Sequence, residues 1–223
     1  MFEEELELEK KEFGLVPLLL VGALVAAIAI GAGFIYKETR RQFTADQAKQ
    51  MANTVLTTQG PAMAHFHVGL VKTTIEDRPD AAQYRLLAKA GILQVGKEAN
   101  KTFPVKLTPS GEKLLTEIQG VQHTQDASGA TVYNVPLADR NLVDVATVTM
   151  PVPTRAEFDY RWKWAPNPMG EIYDASGKLV QSFNTWDRQA LIDKYNVKFY
   201  HGDPQKNTLH VAWQNGKWQV AAE

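Results

Sequence analysis

The sequence contains no cysteine. Disulfides, thiolate nucleophiles, cysteine-ligated zinc and iron–sulfur clusters are therefore excluded. So is a lipoprotein anchor, which needs a cysteine to carry its lipid. The absence leaves the redox compartment open, because it is tolerated on either side of a membrane. A surplus of one charge is also lacking: 24 Lys and Arg stand against 25 Asp and Glu in 223 residues. An extended nucleic-acid surface needs excess Lys and Arg to displace counterions from phosphate, so nucleic acid is not an expected partner. No serine sits in a G-x-S-x-G elbow and no Walker loop occurs. No spaced carboxylate–histidine motif is present either. The sequence therefore assigns no catalytic residue, metal or cofactor, and the expectation is a protein that is not an enzyme.

What is there begins with a long uncharged run, FGLVPLLLVGALVAAIAIGAGFIY, from Phe13 to Tyr36. Roughly 20 apolar residues at about 1.5 Å each span a hydrocarbon core. The pattern predicts a single-pass transmembrane helix over residues 14–36, in contact with membrane lipid, behind an acidic tail at 1–13. A cleaved signal peptide fits less well, because glutamates outnumber Lys10 and Lys11 in front of the run and the run is long. Ala23, Ala27 and Gly31 recur every four residues and share one helix face. Small residues at that spacing permit close packing against other membrane-protein subunits. Lys10 and Lys11 on one side nearly balance Lys37, Arg40 and Arg41 on the other, so charge hardly orients the segment.

Residues 37–121 read as a helical region. Thr44-Ala45-Asp46-Gln47 fits a capping box, and Gly60-Pro61 a stop. A second helix is expected over 62–74 and a third in AAQYRLLAKA before Gly91. Two short strands, ILQVGK and FPVKLT, come next; Thr108 then caps a helix with Pro109 at its first position. The run LLAKAGILQVGK…FPVKLTPSGEKLL resembles the helix–wing–helix segment of winged-helix domains. Its helix offers only Arg85 and Lys89 as cations, so the resemblance implies a shape without DNA activity.

Residues 122–129 are polar and read as a loop. From 130 to 223 the sequence reads as an antiparallel β-rich region with one helix near 186–195, capped by Thr185. The strand candidates are TVYNV, LVDVATVTM, RAEFDYRWKW, KLVQSF, VKFYH, TLHVAW and KWQVA. Asn215-Gly216 signals a hairpin. The expected fold class is thus α+β: a transmembrane helix, a helical winged-helix-like segment, then a mostly antiparallel β domain. LTPSGEKLL, VTMPVPTRAEFDYRWKWAPNPMG and FNTWDRQALIDKYNVKFYHGDP together resemble uncharacterised bacterial membrane-anchored envelope proteins. That resemblance implies a soluble domain on the periplasmic or extracytoplasmic side, and no activity.

Phe158, Tyr160, Trp162 and Trp164 alternate with Asp159, Arg161 and Lys163. At period two the four rings share one strand face. They are expected to form the core side of a sheet; the competing reading is a platform for a hydrophobic or glycan ligand. His65 and His67, read as helical, would point about 200° apart and share no metal. His123, His201 and His210 are isolated in sequence. Asp187 and Lys194 suit the two ends of the 186–195 helix through its dipole better than they suit acid–base chemistry.

The sequence is compatible with three functions. The leading one is a non-catalytic, membrane-anchored accessory or scaffold subunit of a membrane protein complex. The second is an envelope binding module using the aromatic strand. The third is a membrane-tethered winged-helix regulator.

Overall fold

The computed structural model describes residues 42–73 and 78–221. The run expected to cross a membrane at 14–36, with Ala23, Ala27 and Gly31, lies outside them. Among the described residues no helix is long and apolar enough to cross a membrane.

The described chain is mostly antiparallel β sheet with a few helices. In chain order the elements are α1 (Ala45–Gln59), β1 (Ala62–Lys72), α2 (Ala82–Lys89), β2 (Leu93–Val95), β3 (Thr102–Leu107), α3 (Pro109–Glu117) and β4 (Gln122–Gln125). Then come β5 (Thr131–Val152), β6 (Arg155–Pro166), α4 (Pro168–Ile172), α5 (Lys178–Gln181), α6 (Thr185–Lys194), β7 (Gln205–Gln214) and β8 (Lys217–Val220). The strands hydrogen-bond in the order β2-β3-β1-β5-β6-β7-β8, with β4 pairing β5 off this path.

This overturns the expected α+β plan of a transmembrane helix and a helical winged-helix-like half ahead of a β domain. The decisive difference is β1. In place of the helix expected over 62–74, Ala62–Lys72 is a strand with Ala62, Ala64 and Phe66 buried at period two. Its first part pairs β5, from Ala62↔Ala138 to Val68↔Thr131; its last part pairs β3, from Gly69↔Val105 to Lys72↔Thr102. Gly69 sits at the switch with φ +117°, a backbone that side chains with a Cβ rarely adopt. One strand therefore ties the α2–β2–β3–α3 run to the long strand β5, and the presumed helical half is part of the sheet.

Three smaller expectations also change. The polar stretch 122–129 contains strand β4. KLVQSF holds the short helix α5 in place of a strand. VKFYH forms no strand; Lys198 makes only an isolated bridge to Asp174.

Local signals set the other elements. The Thr108 hydroxyl accepts from Gly111 N at 3.0 Å and Pro109 opens α3. Asn184, one residue before the expected Thr185, caps α6 by accepting from Asp187 N at 2.9 Å. Asn215 and Gly216, with φ of 51° and 80°, close the β7–β8 hairpin.

The described chain forms two compact units. The larger, Ala45–Val148 with Phe158–Leu209, has a core that includes Phe66, Leu86, Leu87, Leu137, Tyr173, Leu191 and Tyr200. Phe66 stacks on Tyr133 with ring centroids 5.6 Å apart. The smaller includes residues 42–44, 149–157 and 210–221. In it Trp218 meets Phe43 edge-on at 5.1 Å and Trp213 at 5.5 Å.

Candidate functional site

The larger unit contains an open cleft of about 510 Å³. That volume falls in the range of small-molecule sites, roughly 300–1,000 Å³. One wall is β1, which contributes Met63, His65, His67 and Lys72. The turn between β4 and β5 contributes Asp126 and Ser128, and the end of α6 contributes Lys194 and Asn196. Gln83 of α2 also lines it.

The strand conformation of β1 makes this wall. As alternate residues of a strand, His65 and His67 lie on one side while Phe66 between them is buried. Helical geometry would have separated them. Side chains, in place of another strand, meet the polar groups of β1 here. Asn196 Nδ2 donates to Met63 O at 2.9 Å, Gln83 Nε2 donates to His65 O at 2.9 Å, and His67 N donates to Tyr84 Oη at 2.9 Å. These bonds hold α2 and the end of α6 against the strand without a continuing ladder.

Several polar groups of the cleft have a defined setting. His65 Nδ1 lies 2.5 Å from Asn134 Oδ1. In the tautomer that carries its proton on Nδ1 the ring donates to that amide oxygen and presents Nε2 as an acceptor. Asp126 Oδ1 accepts from Ser128 N at 2.7 Å, Ser128 Oγ at 2.7 Å and Ala130 N at 3.0 Å. The bond from the Ser128 hydroxyl, with those from the backbone, keeps the Asp126 carboxyl below its ordinary range. Asp126 Oδ2 lies 3.8 Å from His67 Nε2. Gln83 is only 3% exposed, and its Nε2 is shared between His65 O and Tyr173 Oη, the latter at 3.1 Å.

The aromatic strand lies elsewhere in the larger unit, on β6. Phe158, Tyr160, Trp162 and Trp164 are 1, 3, 7 and 8% exposed, which leaves little surface for a ligand. Trp162 and Trp164 meet edge-on at 5.0 Å, and Trp162 Nε1 donates to Asn207 Oδ1 at 2.9 Å. Arg140 lies 4.5 Å from the centre of the Trp164 ring and Lys198 5.3 Å. Burial, and then the charge of Arg140, lower the Lys198 ammonium below its usual value. On the other face, Asp159 pairs with Lys206 at 2.7 Å and Arg161 forms a salt bridge with Asp144.

The remaining histidines stay apart. His123 stacks near Tyr133, His201 pairs with Glu171 at 3.0 Å, and His210 lies 3.5 Å from Glu157. Among the described residues no group of three or more His, Asp or Glu side chains is placed to hold a metal ion. The two cations of α2, the helix of the winged-helix-like run, are engaged. Arg85 makes a two-pronged bridge to Asp187 at 2.6 and 3.0 Å; Lys89 sits 4.2 Å over the Phe183 ring and donates to Ser182 Oγ at 3.2 Å.

A further feature, which residue patterns alone do not single out, is Trp186 on the first turn of α6. It is 87% exposed, and the Asn184 cap and the Arg85–Asp187 bridge fix the turn that carries it. The cleft is equally hidden in the sequence, because its residues come from four separated segments. Its one local signal is the Asp-Ala-Ser-Gly tetrapeptide at 126–129, which favours a side-chain-stapled turn.

The chain matches no family model, no curated protein and no solved structure.

Proposed function

We propose that the chain is a non-catalytic accessory or scaffold protein that works at a membrane and holds a partner subunit through α6. The observation that carries this reading is Trp186, 87% exposed on a helix turn held by a cap and a two-pronged ion pair. An indole buried by a partner contributes large area at little conformational cost, and tryptophan is enriched among the residues that dominate protein interfaces. The uncharged run from Phe13 to Tyr36 supports a membrane location. The engaged Arg85 and Lys89 argue against the DNA-regulator reading, which needs free cations for phosphate.

The test is purification of the full-length chain from its native membranes in mild detergent, as wild type and as Trp186→Ala. A stoichiometric partner retained by the wild type and lost from the variant, at an unchanged melting temperature, supports the proposal. The same partners in the same amounts with both proteins would overturn it.

A further inference from the structure

The cleft beside β1 carries an inference independent of α6 docking. We infer that it binds a small hydroxylated anion, of the class of sugar acids and sugar phosphates.

Charge points to the anion. Among the described residues two lysines, Lys72 and Lys194, line the cleft against a single carboxylate, Asp126. One oxygen of that carboxylate already accepts three hydrogen bonds within its own turn. Lysines thus outnumber carboxylates two to one in the described lining, and an oxyanion is the group that lysine ammoniums recognise.

Hydrogen-bond inventory points to the hydroxyls. Gln83 is 97% withdrawn from solvent, and both bonds of its amide nitrogen are made within the protein, to His65 O and Tyr173 Oη. This orients the amide and leaves Oε1 without a partner among the described residues. Gln83 is itself one of the residues that line the cleft. An acceptor in a cleft takes its donor from water or from a ligand hydroxyl. His65, whose Nδ1 faces Asn134, adds a second acceptor, Nε2, in the Nδ1-protonated tautomer. Two acceptors beside two cations call for a ligand that brings O–H donors and a negative group together. Met63, Ala64 and Val71 supply the apolar lining on which the C–H face of a sugar ring rests.

One hexose series separates the possibilities. The full-length chain is titrated with glucuronate, glucose 6-phosphate, glucose and glucosamine, following heat and the histidine ring signals. Glucuronate or glucose 6-phosphate should bind at least about tenfold more tightly than glucose or glucosamine. Whichever anion binds better tells whether a carboxylate or a phosphate is preferred. Lys194→Gln and Lys72→Gln should each weaken the anionic ligands several-fold and leave the melting temperature unchanged, because both side chains are exposed. Gln83→Leu should weaken all four sugars. Equal binding of glucose and glucuronate would overturn the inference, as would no binding by any sugar at about 10 mM, a millimolar affinity being the weakest a specific site would show. Anion affinities unmoved by both lysine variants would overturn it too. None of these outcomes depends on Trp186, so the scaffold proposal stands or falls separately.

Discussion

The tetrapeptide Asp-Ala-Ser-Gly occurs twice, at 126–129 and at 174–177, and both copies lie in the larger unit. Locally they do the same thing. The aspartate Oδ1 accepts from the serine backbone N–H, at 2.7 Å in the first copy and 2.6 Å in the second, and from the serine hydroxyl in both. The glycine N–H then donates to the aspartate C=O at 3.1 and 3.0 Å. Short-range chemistry thus closes the same turn twice.

Beyond the turn the two copies part. Gly129 takes φ +83°, Ala130 N returns to Asp126 Oδ1, and the chain runs on as β5 beside β4. Gly177 takes φ −67° and begins α5. The settings differ as much as the exits. Asp126 lines an open cleft, while Asp174 is 2% exposed and gives its second oxygen to Tyr200 N at 3.0 Å. The tetrapeptide specifies a staple; its neighbours decide whether the staple is part of a binding surface or of the core.

The largest expected effect breaks the buried copy. Asp174→Ala leaves the buried Tyr200 N–H without its acceptor and opens the turn held by Ser176, and should cost about 1–3 kcal/mol in urea unfolding. Asp126→Ala should leave the unfolding midpoint nearly unchanged. Equal losses from both variants would erase the distinction between core and surface.

The next effect probes the two exits. Gly129→Ala forces a Cβ into a positive φ and should cost about 1 kcal/mol, with Gly129→Asn milder because asparagine tolerates that region. Open space surrounds a Cβ at this position, so backbone conformation and not crowding is what the pair of variants reads. Gly177→Ala meets no such conformational penalty, since its φ is negative.

Acid acts on both copies, because the serine of each turn holds its aspartate low. Burial opposes ionisation of Asp174, yet the hydrogen bonds from Ser176 and Tyr200 and the nearby His201 hold its carboxyl below the ordinary value. A carboxyl with a lower pKa folded than unfolded stabilises the fold above its unfolded value. That contribution is lost as pH falls through the folded value. The wild-type melting temperature should therefore drop below about pH 4, and Asp174→Asn should flatten that drop. An identical acid profile in the variant would show that Asp174 is not the group responsible.

The smallest effect lies beside the buried copy. The Glu171 carboxylate, bonded to His201, raises the imidazole above its usual pKa, with a lesser contribution from Asp174. Here the sign is reversed: the pair adds stability at low pH and loses it as pH rises through the folded value. Proton NMR should find His201 titrating above about 6.5, and Glu171→Gln should bring it back towards that value.

Legibility tracks range along the chain. The Thr108 cap, Pro109, the Asn215-Gly216 hairpin and the alternation of Phe158 to Trp164 are short-range patterns, and each lies close to its expected place. AMAHFHVGLVK reads as a helix in isolation because alanines and histidines carry weak strand preferences; pairing with β5 on one side and β3 on the other makes it a strand. KLVQSF departs in the opposite sense. Its apolar residues suit a strand, but the turn before it delivers Gly177 as a helix start.

The sequence by itself determined the absence of thiol chemistry, the balance of charge, the caps and turns, and the one-sided aromatic face of β6. These depend on residue type or on neighbours a few positions apart. Tertiary structure alone decided that β1 is a strand, that two identical tetrapeptides lie one in the core and one at a cleft, and that the cleft exists. Met63 to Lys72, Gln83, Asp126 and Lys194 to Asn196 are far apart in the chain, and only the pairing of β1 and the side-chain bonds from α2 and the end of α6 bring them together.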